Sequence, residues 1–388
     1  MNQSLRFKFI CAYFILGITS VYAQPFSIGH VTVSFTDPSR DNRTINTEIY
    51  YPADSNGDNV PVAGSEAFPV AAFGHGFVMG VDAYENIWSM LVPQGFIVAL
   101  PTTEGGILPN HENFGKDLAF VIEQMEFLGS APSSLFSGKV SDQSVVMGHS
   151  MGGGASFLAM QYSSAIDAIA TLAPANTNPS SIDAASGISK PALVFAGAND
   201  CVTPPPQHQL PMYSNLQSEC KTYISITGGS HCQMADSNFL CNLGEITCSP
   251  DAEIAREEQH ATIENYLVDW LKSTLKDDCD AGALFDERIL TDGDITYQTN
   301  CVLCEPLQTG EFSTEIAVIP NPFRNELQFR IATVDSCEFV LYDLHGRVVL
   351  SQIVSDGSEV NTTFLPSGFY TYLLASADEV RTGKLVKY

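Results

Sequence analysis

Basic residues are scarce in this sequence. Its 388 residues include 18 Lys and Arg against 44 Asp and Glu, which gives a formal net charge of -26 at pH 7. Nucleic acids and anionic membrane surfaces attract positive charge, so this balance argues against both as partners. Solubility outside the cell accounts for the acidic excess.

Long apolar stretches are also absent after residue 23, so no segment there is long enough to span a bilayer. Before that point, Arg6 and Lys8 precede an apolar run at residues 9–18 and a small-residue cleavage site at residues 21–23. This order predicts a signal peptide over residues 1–23 and excludes a membrane anchor. Export without stable membrane insertion is therefore expected.

Cysteine, in contrast, is plentiful. Ten cysteines include Cys11 in the signal peptide, which leaves nine in the mature chain. An exported protein holds most of its cysteines as disulfides, and an odd number leaves at least one unpaired.

The hydrophobic pattern predicts a parallel sheet. Residues 28–51 alternate polar and apolar side chains, as antiparallel edge strands do. Short, nearly continuous apolar runs follow, separated by segments of helical length, at residues 69–73, 96–100, 144–147, 166–172, 192–195 and 222–226. Such strands are buried on both faces, in a sheet covered by helices. A helix whose apolar residues recur from Ile263 to Leu275 closes this domain, residues 24–276, near Lys276.

The remainder divides into two parts. Residues 277–312 are acidic and rich in turns and cysteine. They are interpreted either as an extension attached to the first domain by disulfides or as a linker. Asp292 and Asp294 within it fall short of the six to eight oxygens that calcium requires, so no metal site is expected. Residues 313–388 have alternating runs that predict a small all-β sandwich, independent of the first domain.

A G-x-S-x-G pentapeptide at residues 148–152 carries the first sign of chemistry. It follows the apolar run at residues 145–147 and precedes a stretch of small residues that can open a helix. A tight turn between strand and helix needs small residues two places before and after the serine, and it presents the hydroxyl at the sheet edge. Ser150 is therefore predicted to be a nucleophile.

A serine hydroxyl needs a base, and the base needs an acid that fixes its tautomer. Asp200 follows the run at residues 192–195, and His231 follows the run at residues 222–226. Both positions lie at the sheet edge where Ser150 emerges, in the order serine, acid, histidine. Alternative acids and bases, expected to have surface or core roles, are Asp183, Asp236, His75, His111, His149 and His208.

Acyl transfer also needs donors for an oxyanion, usually the amide after the nucleophile and one after an early strand. These are the amides of Met151 and Phe77. The Phe77 ring is expected to line an apolar acyl pocket with Met151 and Val202.

Residues 138–154, 199–200 and 228–231 resemble the bacterial cutinase and polyester hydrolase branch of the α/β-hydrolase fold, over about residues 28–275. The resemblance implies a doubly wound, mostly parallel sheet and a carboxylic ester hydrolase without cofactor. It places Ser150, Asp200 and His231 at the triad positions and Phe77 and Met151 at the oxyanion positions. Pocket position Ala175 stands where these polyester hydrolases carry a tryptophan.

Two cysteines lie beside the expected triad. Cys201 and Cys232 directly follow the acid and the histidine, in a placement offset from the active-site disulfide of some family members. Because Asp200 and His231 must lie within hydrogen-bond reach, a Cys201–Cys232 disulfide is predicted, with Cys220 as the main competitor for either cysteine. Further predicted pairs are Cys241–Cys248 and Cys279–Cys301.

The tail has a resemblance of its own. Residues 319–323, 344–347, 365–370 and 383–386 resemble the C-terminal sorting domain of the type IX secretion system. This likeness implies passage through the outer membrane, then release or surface attachment. A carbohydrate-binding module is the alternative, but Tyr342, Phe369 and Tyr370 lie in strand patterns typical of core and not of exposed platforms.

The sequence thus predicts a secreted, monomeric serine ester hydrolase that acts on a small-molecule or polymeric ester through an acyl-enzyme. A peptidase or amidase of the same fold is one alternative. A non-catalytic binding module is another, although every member of the expected triad is present.

Overall fold

A computed structural model describes residues 26–304, 316–331, 336–343, 346–376 and 380–388. The signal peptide predicted at residues 1–23 lies outside these ranges. The chain divides into two compact units, Met1–Leu303 and Cys304–Tyr388, each of which makes most of its contacts internally.

The first unit is built on one ten-stranded sheet with the order β10-β9-β8-β7-β6-β4-β5-β2-β1-β3. The six strands from β9 to β5 are parallel, whereas β2, β1 and β10 pair with their neighbours in antiparallel fashion, except that β3 runs parallel to β1. The strands are β1 Ser27–Asp37, β2 Arg43–Ala53, β3 Gly57–Asp58, β4 Phe68–Gly74, β5 Ile97–Pro101, β6 Val140–His149, β7 Ala168–Leu172, β8 Ala192–Gly197, β9 Lys221–Ile226 and β10 Ile295–Thr299.

Helices cover both faces of this sheet. They are α1 Glu85–Leu91, α2 His111–Ser130, α3 Met151–Ala159, α4 Ser181–Ala185, α5 Gln209–Asn215, α6 Phe239–Glu245, α7 Arg256–Lys276 and α8 Cys279–Thr291. One hydrophobic cluster joins the sheet to α2, α3, α4 and α5, and a second joins the other face to α1, α7 and α8. Neighbouring strand residues such as Val145 and Val146 belong to opposite clusters. The predicted doubly wound α/β fold is confirmed, and its central strands are rich in apolar residues because both of their faces are buried.

The apolar face predicted for the last long helix is the buried face of α7. Its buried residues include Ile263, Tyr266, Leu267, Trp270, Leu271 and Leu275. The chain then continues within the first unit, because α8 buries Phe285 against Tyr266 and β10 pairs with β9. The sequence pattern did not reveal β10, since Ile295 is its one buried residue and the other four are exposed.

The second unit is all-β. A three-stranded sheet has the order β11-β12-β15 and a four-stranded sheet the order β14-β13-β16-β17. Its strands, all paired in antiparallel fashion, are β11 Ile316–Ile319, β12 Glu326–Ile331, β13 Cys337–Tyr342, β14 Val348–Val354, β15 Glu359–Asn361, β16 Gly368–Ala375 and β17 Val380–Lys387. Both sheets contribute to one core.

One expectation about this core is wrong. Tyr370 is buried as expected, but Phe369 is 61% exposed, because successive residues of β16 point to opposite faces of the sheet. None of the helices in the described part of the chain combines the length and hydropathy that crossing a bilayer requires.

Candidate active site

The pentapeptide forms a sharp turn between β6 and α3. Ser150 occupies it with φ 56° and ψ -119°, a conformation that non-glycine residues adopt only when the surroundings impose it. A side chain at position 148 would collide with the backbone of Gly152, and one at position 152 would collide with the carbonyl of Gly74. The two glycines therefore allow the turn that places Ser150 at the carboxyl edge of the sheet.

Asp200 and His231 meet at the same edge. The side chain of His231 follows β9, and its Nδ1 lies 2.8 Å from Oδ2 of Asp200. The Asp200 side chain is fully buried and that of His231 is 2% exposed. Because an ionised carboxylate only accepts, this bond assigns the proton to Nδ1 and leaves Nε2 as an acceptor. That is the tautomer a general base requires.

The carboxylate is held by further donors. The amides of Val202 and Thr203 donate to Oδ1 of Asp200 at 2.9 and 2.7 Å. The hydroxyl of Thr203 donates to Oδ2 at 2.8 Å, and Gln209 Nε2 donates to that hydroxyl at 3.0 Å. Sequence reasoning missed Thr203 and Gln209. The available signal was the Asp-x-x-Thr spacing after a strand, which is typical of a side chain that caps the following turn.

The two amides predicted to bind the oxyanion belong to elements that follow parallel strands of the sheet. Met151 is the first residue of α3, where a helix amide has no acceptor within the helix. Phe77 belongs to the loop after β4, and the amide of the preceding Gly76 donates to the Tyr84 hydroxyl at 2.7 Å. These positions fit a pair of donors at the edge of the sheet.

The predicted pocket residues differ in exposure. Phe77 and Val202 are 48% and 38% exposed, and Ala175 is partly buried. Ala175 also donates its amide to the Ser150 carbonyl at 2.8 Å. The Met151 side chain, in contrast, is 3% exposed and packs in the core cluster with α2. The Met151 side chain therefore offers little surface with which to line a pocket.

A buried chain of hydrogen bonds runs behind the site. Tyr84 lies with its hydroxyl 3.0 Å from Nδ1 of His149, and Nε2 of His149 lies 3.1 Å from the carbonyl of His231. Burial, reinforced by the neighbouring His231, lowers the pKa of His149 well below its usual value, so this imidazole is neutral. Its Nε2–H then donates to His231, and Tyr84 donates to Nδ1 while accepting from Gly76. This chain of hydrogen bonds connects the Gly76–Phe77 loop to the backbone of His231.

The alternative acids and bases have other partners or positions. Asp236 accepts from the amide of Asn86 at 2.9 Å, and Asp183 is exposed in the first turn of α4. His208 accepts from the amide of Asn176 at 2.9 Å. His75 and His111 likewise contact backbone groups, the former through both ring nitrogens.

The predicted disulfides are wrong. The described bonds are Cys201–Cys248, Cys220–Cys301 and Cys232–Cys241, and Cys279 and Cys304 are disulfide-bonded as well. Two neighbouring side chains do not fix the directions of the cysteines that follow them. Here, the segment that contains α6 provides a separate partner for Cys201 and for Cys232.

The described residues include no group of three or more His, Cys, Asp or Glu side chains placed to hold a metal ion. Asp292, considered above for calcium, accepts from the Tyr266 hydroxyl at 2.9 Å and from the amide of Asp294 at 2.8 Å. Its role in the structure is to stabilise the turn before β10.

Two family models match the chain. Residues 317–388 match one described as a secretion system C-terminal sorting domain, which indicates secretion or display at the cell surface and agrees with the type IX resemblance.

Two curated proteins are also similar to the chain. A bis(hydroxyethyl) terephthalate hydrolase of Streptomyces coelicolor is 25% identical over 231 residues, 59% of this chain and 62% of that protein. Cutinase est1 of Thermobifida alba is 24% identical over 231 residues, 59% of this chain and 65% of that protein.

The chain thus spans less than two thirds of the length of either relative. The other model, described as PET hydrolase-like, matches residues 20–282 and includes the serine turn, Asp200 and His231. Since this match covers well over half of the chain, the protein belongs to the PET hydrolase-like family.

Proposed function

We propose that this protein is a secreted carboxylic ester hydrolase that works through an acyl-enzyme on Ser150. The observation that carries the proposal is the buried Asp200–His231 hydrogen bond at the sheet edge where the strained turn presents Ser150. The names of its relatives, a terephthalate ester hydrolase and a cutinase, support the same reaction class.

In the proposed reaction, Oγ of Ser150 attacks the ester carbonyl while Nε2 of His231 takes its proton. Asp200 stabilises the imidazolium that forms, and the amides of Met151 and Phe77 bind the oxyanion. His231 then protonates the leaving alcohol, which departs and leaves the acyl group on Ser150. Water, deprotonated by His231, releases the acid and restores the serine.

An assay of the purified mature protein tests this reaction class. The substrates are p-nitrophenyl esters of rising acyl length, a peptide panel and a polyester film. We expect turnover of the esters, with little cleavage of peptides. Cleavage of peptides alone favours the amidase alternative, and a folded protein that turns over neither class favours a binding module.

We expect Tyr84→Phe to impair both stability and turnover. The change leaves the amide of Gly76 and Nδ1 of His149 without their buried partner, so the free energy of unfolding should fall by about 1–3 kcal/mol. If the chain of hydrogen bonds positions the Phe77 amide, kcat should fall by about 10-fold while KM changes little. Denaturant unfolding and steady-state kinetics measure the two effects.

The control for this variant is Tyr162→Phe, since the Tyr162 hydroxyl contacts Glu112 at the surface of the protein. This change should leave both quantities near the wild-type values. A Tyr84→Phe protein that loses stability but keeps kcat and its pH profile would show that Tyr84 has a structural role alone.

The C-terminal unit is proposed to serve export and not catalysis, because Ser150, Asp200 and His231 all belong to the first unit. A mature protein ending at residue 312 should keep the kcat and KM of the full chain on soluble esters. In a host with the type IX machinery, the same truncation should abolish delivery outside the cell. Loss of activity on soluble esters by a folded truncated protein would contradict this division of roles.

A further inference from the structure

The loop that follows β7 is held by two histidine rings. The amide of Asn176 donates to Nδ1 of His208 at 2.9 Å, and the amide of Asn178 donates to Nδ1 of His111 at 3.1 Å. His208 lies directly before α5, and His111 is the first residue of α2, so two different helices supply these contacts. We refer to residues 173–179 as the β7 loop.

The β7 loop is also attached to the candidate active site. Ala175 donates its amide to the Ser150 carbonyl at 2.8 Å. The carbonyl of Pro174 accepts from Nε2 of Gln209 at 2.8 Å, and the same nitrogen donates to the Thr203 hydroxyl, which holds the carboxylate of the proposed triad. A shift of the β7 loop would therefore displace groups on both the nucleophile side and the acid side of the site.

Both histidine contacts require a ring nitrogen without a proton. A backbone amide can only donate, so Nδ1 of each ring must accept. An imidazolium carries a proton on both nitrogens and cannot accept at either. His111 and His208 are therefore neutral in this structure, with the proton on Nε2. Protonation of either ring removes its contact with the β7 loop.

The surroundings favour the neutral rings. Burial lowers the pKa of His208 and that of His111 below the ordinary value of 6.5. Asp200 favours protonation of His208 and His231 opposes it, whereas Glu104 favours protonation of His111. The first turn of α2 disfavours positive charge, and the β7 loop has no charged residue. Because the pKa values are lower in the folded protein, the contacts are fully stabilising above about pH 6.5 and are lost as the pH falls through the lower values.

We propose that His111 and His208 are positioning residues that hold the β7 loop against the candidate active site while their Nδ1 atoms are unprotonated, and that release it in acidic solution. This proposal rests on the ester hydrolase function proposed above. Hydrolysis of an ester at neutral pH yields an alcohol, a carboxylate and one proton, so turnover acidifies the surroundings. Protonation of the two rings then slows the enzyme as its product accumulates.

Hydrogen exchange tests the loop without catalysis. The protein is the mature full chain carrying Ser150→Ala, and NMR follows the amides of Asn176 and Asn178 individually. Their protection, corrected for the intrinsic exchange rate, should fall by about 10-fold between about pH 7.5 and about pH 5, the loss expected when one hydrogen bond is removed. Equal protection at the two pH values would overturn the proposal.

Asparagine is the matched replacement, because its side-chain oxygen lies close to the place of Nδ1 and accepts at every pH. In the same background, His111→Asn combined with His208→Asn should keep both amides protected at about pH 5. His111→Ala combined with His208→Ala lacks the acceptors, so its protection should already be low at about pH 7.5. His260→Asn is the control, since its ring contacts Asn86 and Ala235 instead, and it should keep the pH response.

Three results of these variants would contradict the proposal. The first is a pH response in the asparagine double variant that equals the response of its parent. The second is full protection in a folded alanine double variant at about pH 7.5. The third is loss of the pH response in His260→Asn, which would place the titrating group elsewhere.

Kinetics connect the β7 loop to turnover. With Ser150 intact, the need for a neutral His231 lowers kcat/KM in acid for every variant, so the ratio of the asparagine double variant to the wild type cancels this effect. On p-nitrophenyl acetate, the ratio should be near 1 at about pH 7.5 and rise to about 3–10 at about pH 5. A ratio of 1 at both would contradict control of turnover by the loop. Absence of ester hydrolysis in all variants would contradict the proposed function, while the exchange experiment would still decide whether the two rings hold the loop.

Discussion

Replacing Ser150 with alanine is expected to lower kcat for ester hydrolysis by about 10⁴- to 10⁶-fold while leaving the fold intact. Alanine has the same steric requirements at φ 56° as serine, so the turn between β6 and α3 should persist. The variant keeps the amides proposed to bind the oxyanion and the Asp200–His231 pair, which should give residual activity. Steady-state kinetics measure the loss, and mass spectrometry should detect an acyl-enzyme in the wild type but not in the variant.

A second serine on the next helix provides the matched control. Ser156 is buried in α3, and its hydroxyl donates to the carbonyl of Gly152 at 2.9 Å. Ser156→Ala removes a hydroxyl near the same turn but should change kcat by less than about 10-fold, because it takes no part in the proposed chemistry. Wild-type turnover in Ser150→Ala would exclude Ser150 as the nucleophile. Equal losses of kcat in the two variants would indicate that both changes damage α3. Such a result would contradict the assignment of Ser150 as the nucleophile.

The central sheet was predictable because each of its strands contains a short apolar run that can be recognised from neighbouring residues alone. A strand buried on both faces is predominantly apolar, and β4, β7 and β8 each have that composition in the sequence. The edge strand β10 carries four exposed residues, so it lacks the continuous apolar run that marks the central strands. Its hydrogen bonds to β9 stabilise the strand, and this pairing cannot be inferred from the residues of β10 alone.

The meeting of Asp200 and His231 was predictable for a related reason. Residues that directly follow parallel strands meet at one edge of the sheet, so Asp200 and His231 could be placed without knowledge of the loops. The groups around them depend on approach in three dimensions. Tyr84 contacts His149 across 65 residues of sequence. Cys201 and Cys232, which the sequence predicts to pair with each other, instead bond to Cys248 after α6 and to Cys241 within it. No periodicity or spacing in the sequence records those contacts.

Replacing Asp200 with asparagine is expected to lower kcat by about 10⁴-fold, and the surroundings of the side chain give the reason. The amides of Val202 and Thr203 donate to one side-chain oxygen, so the asparagine oxygen should take that place. Its NH₂ group then faces Nδ1 of His231 and donates to it, which moves the imidazole proton to Nε2. A histidine protonated there cannot accept the proton of Ser150.

Asp183→Asn and Asp236→Asn are the matched controls, since both remove one carboxylate from the same domain. Asp183 is exposed, so its variant should keep wild-type kcat and stability. Asp236 accepts from the amide of Asn86, so its variant should lose some stability and little kcat. NMR of the imidazole nitrogens should find the proton on Nδ1 in the wild type and on Nε2 in Asp200→Asn. A large kcat loss in either control with normal turnover in Asp200→Asn would transfer the role of the acid to that residue, and an unchanged tautomer would refute the stated cause.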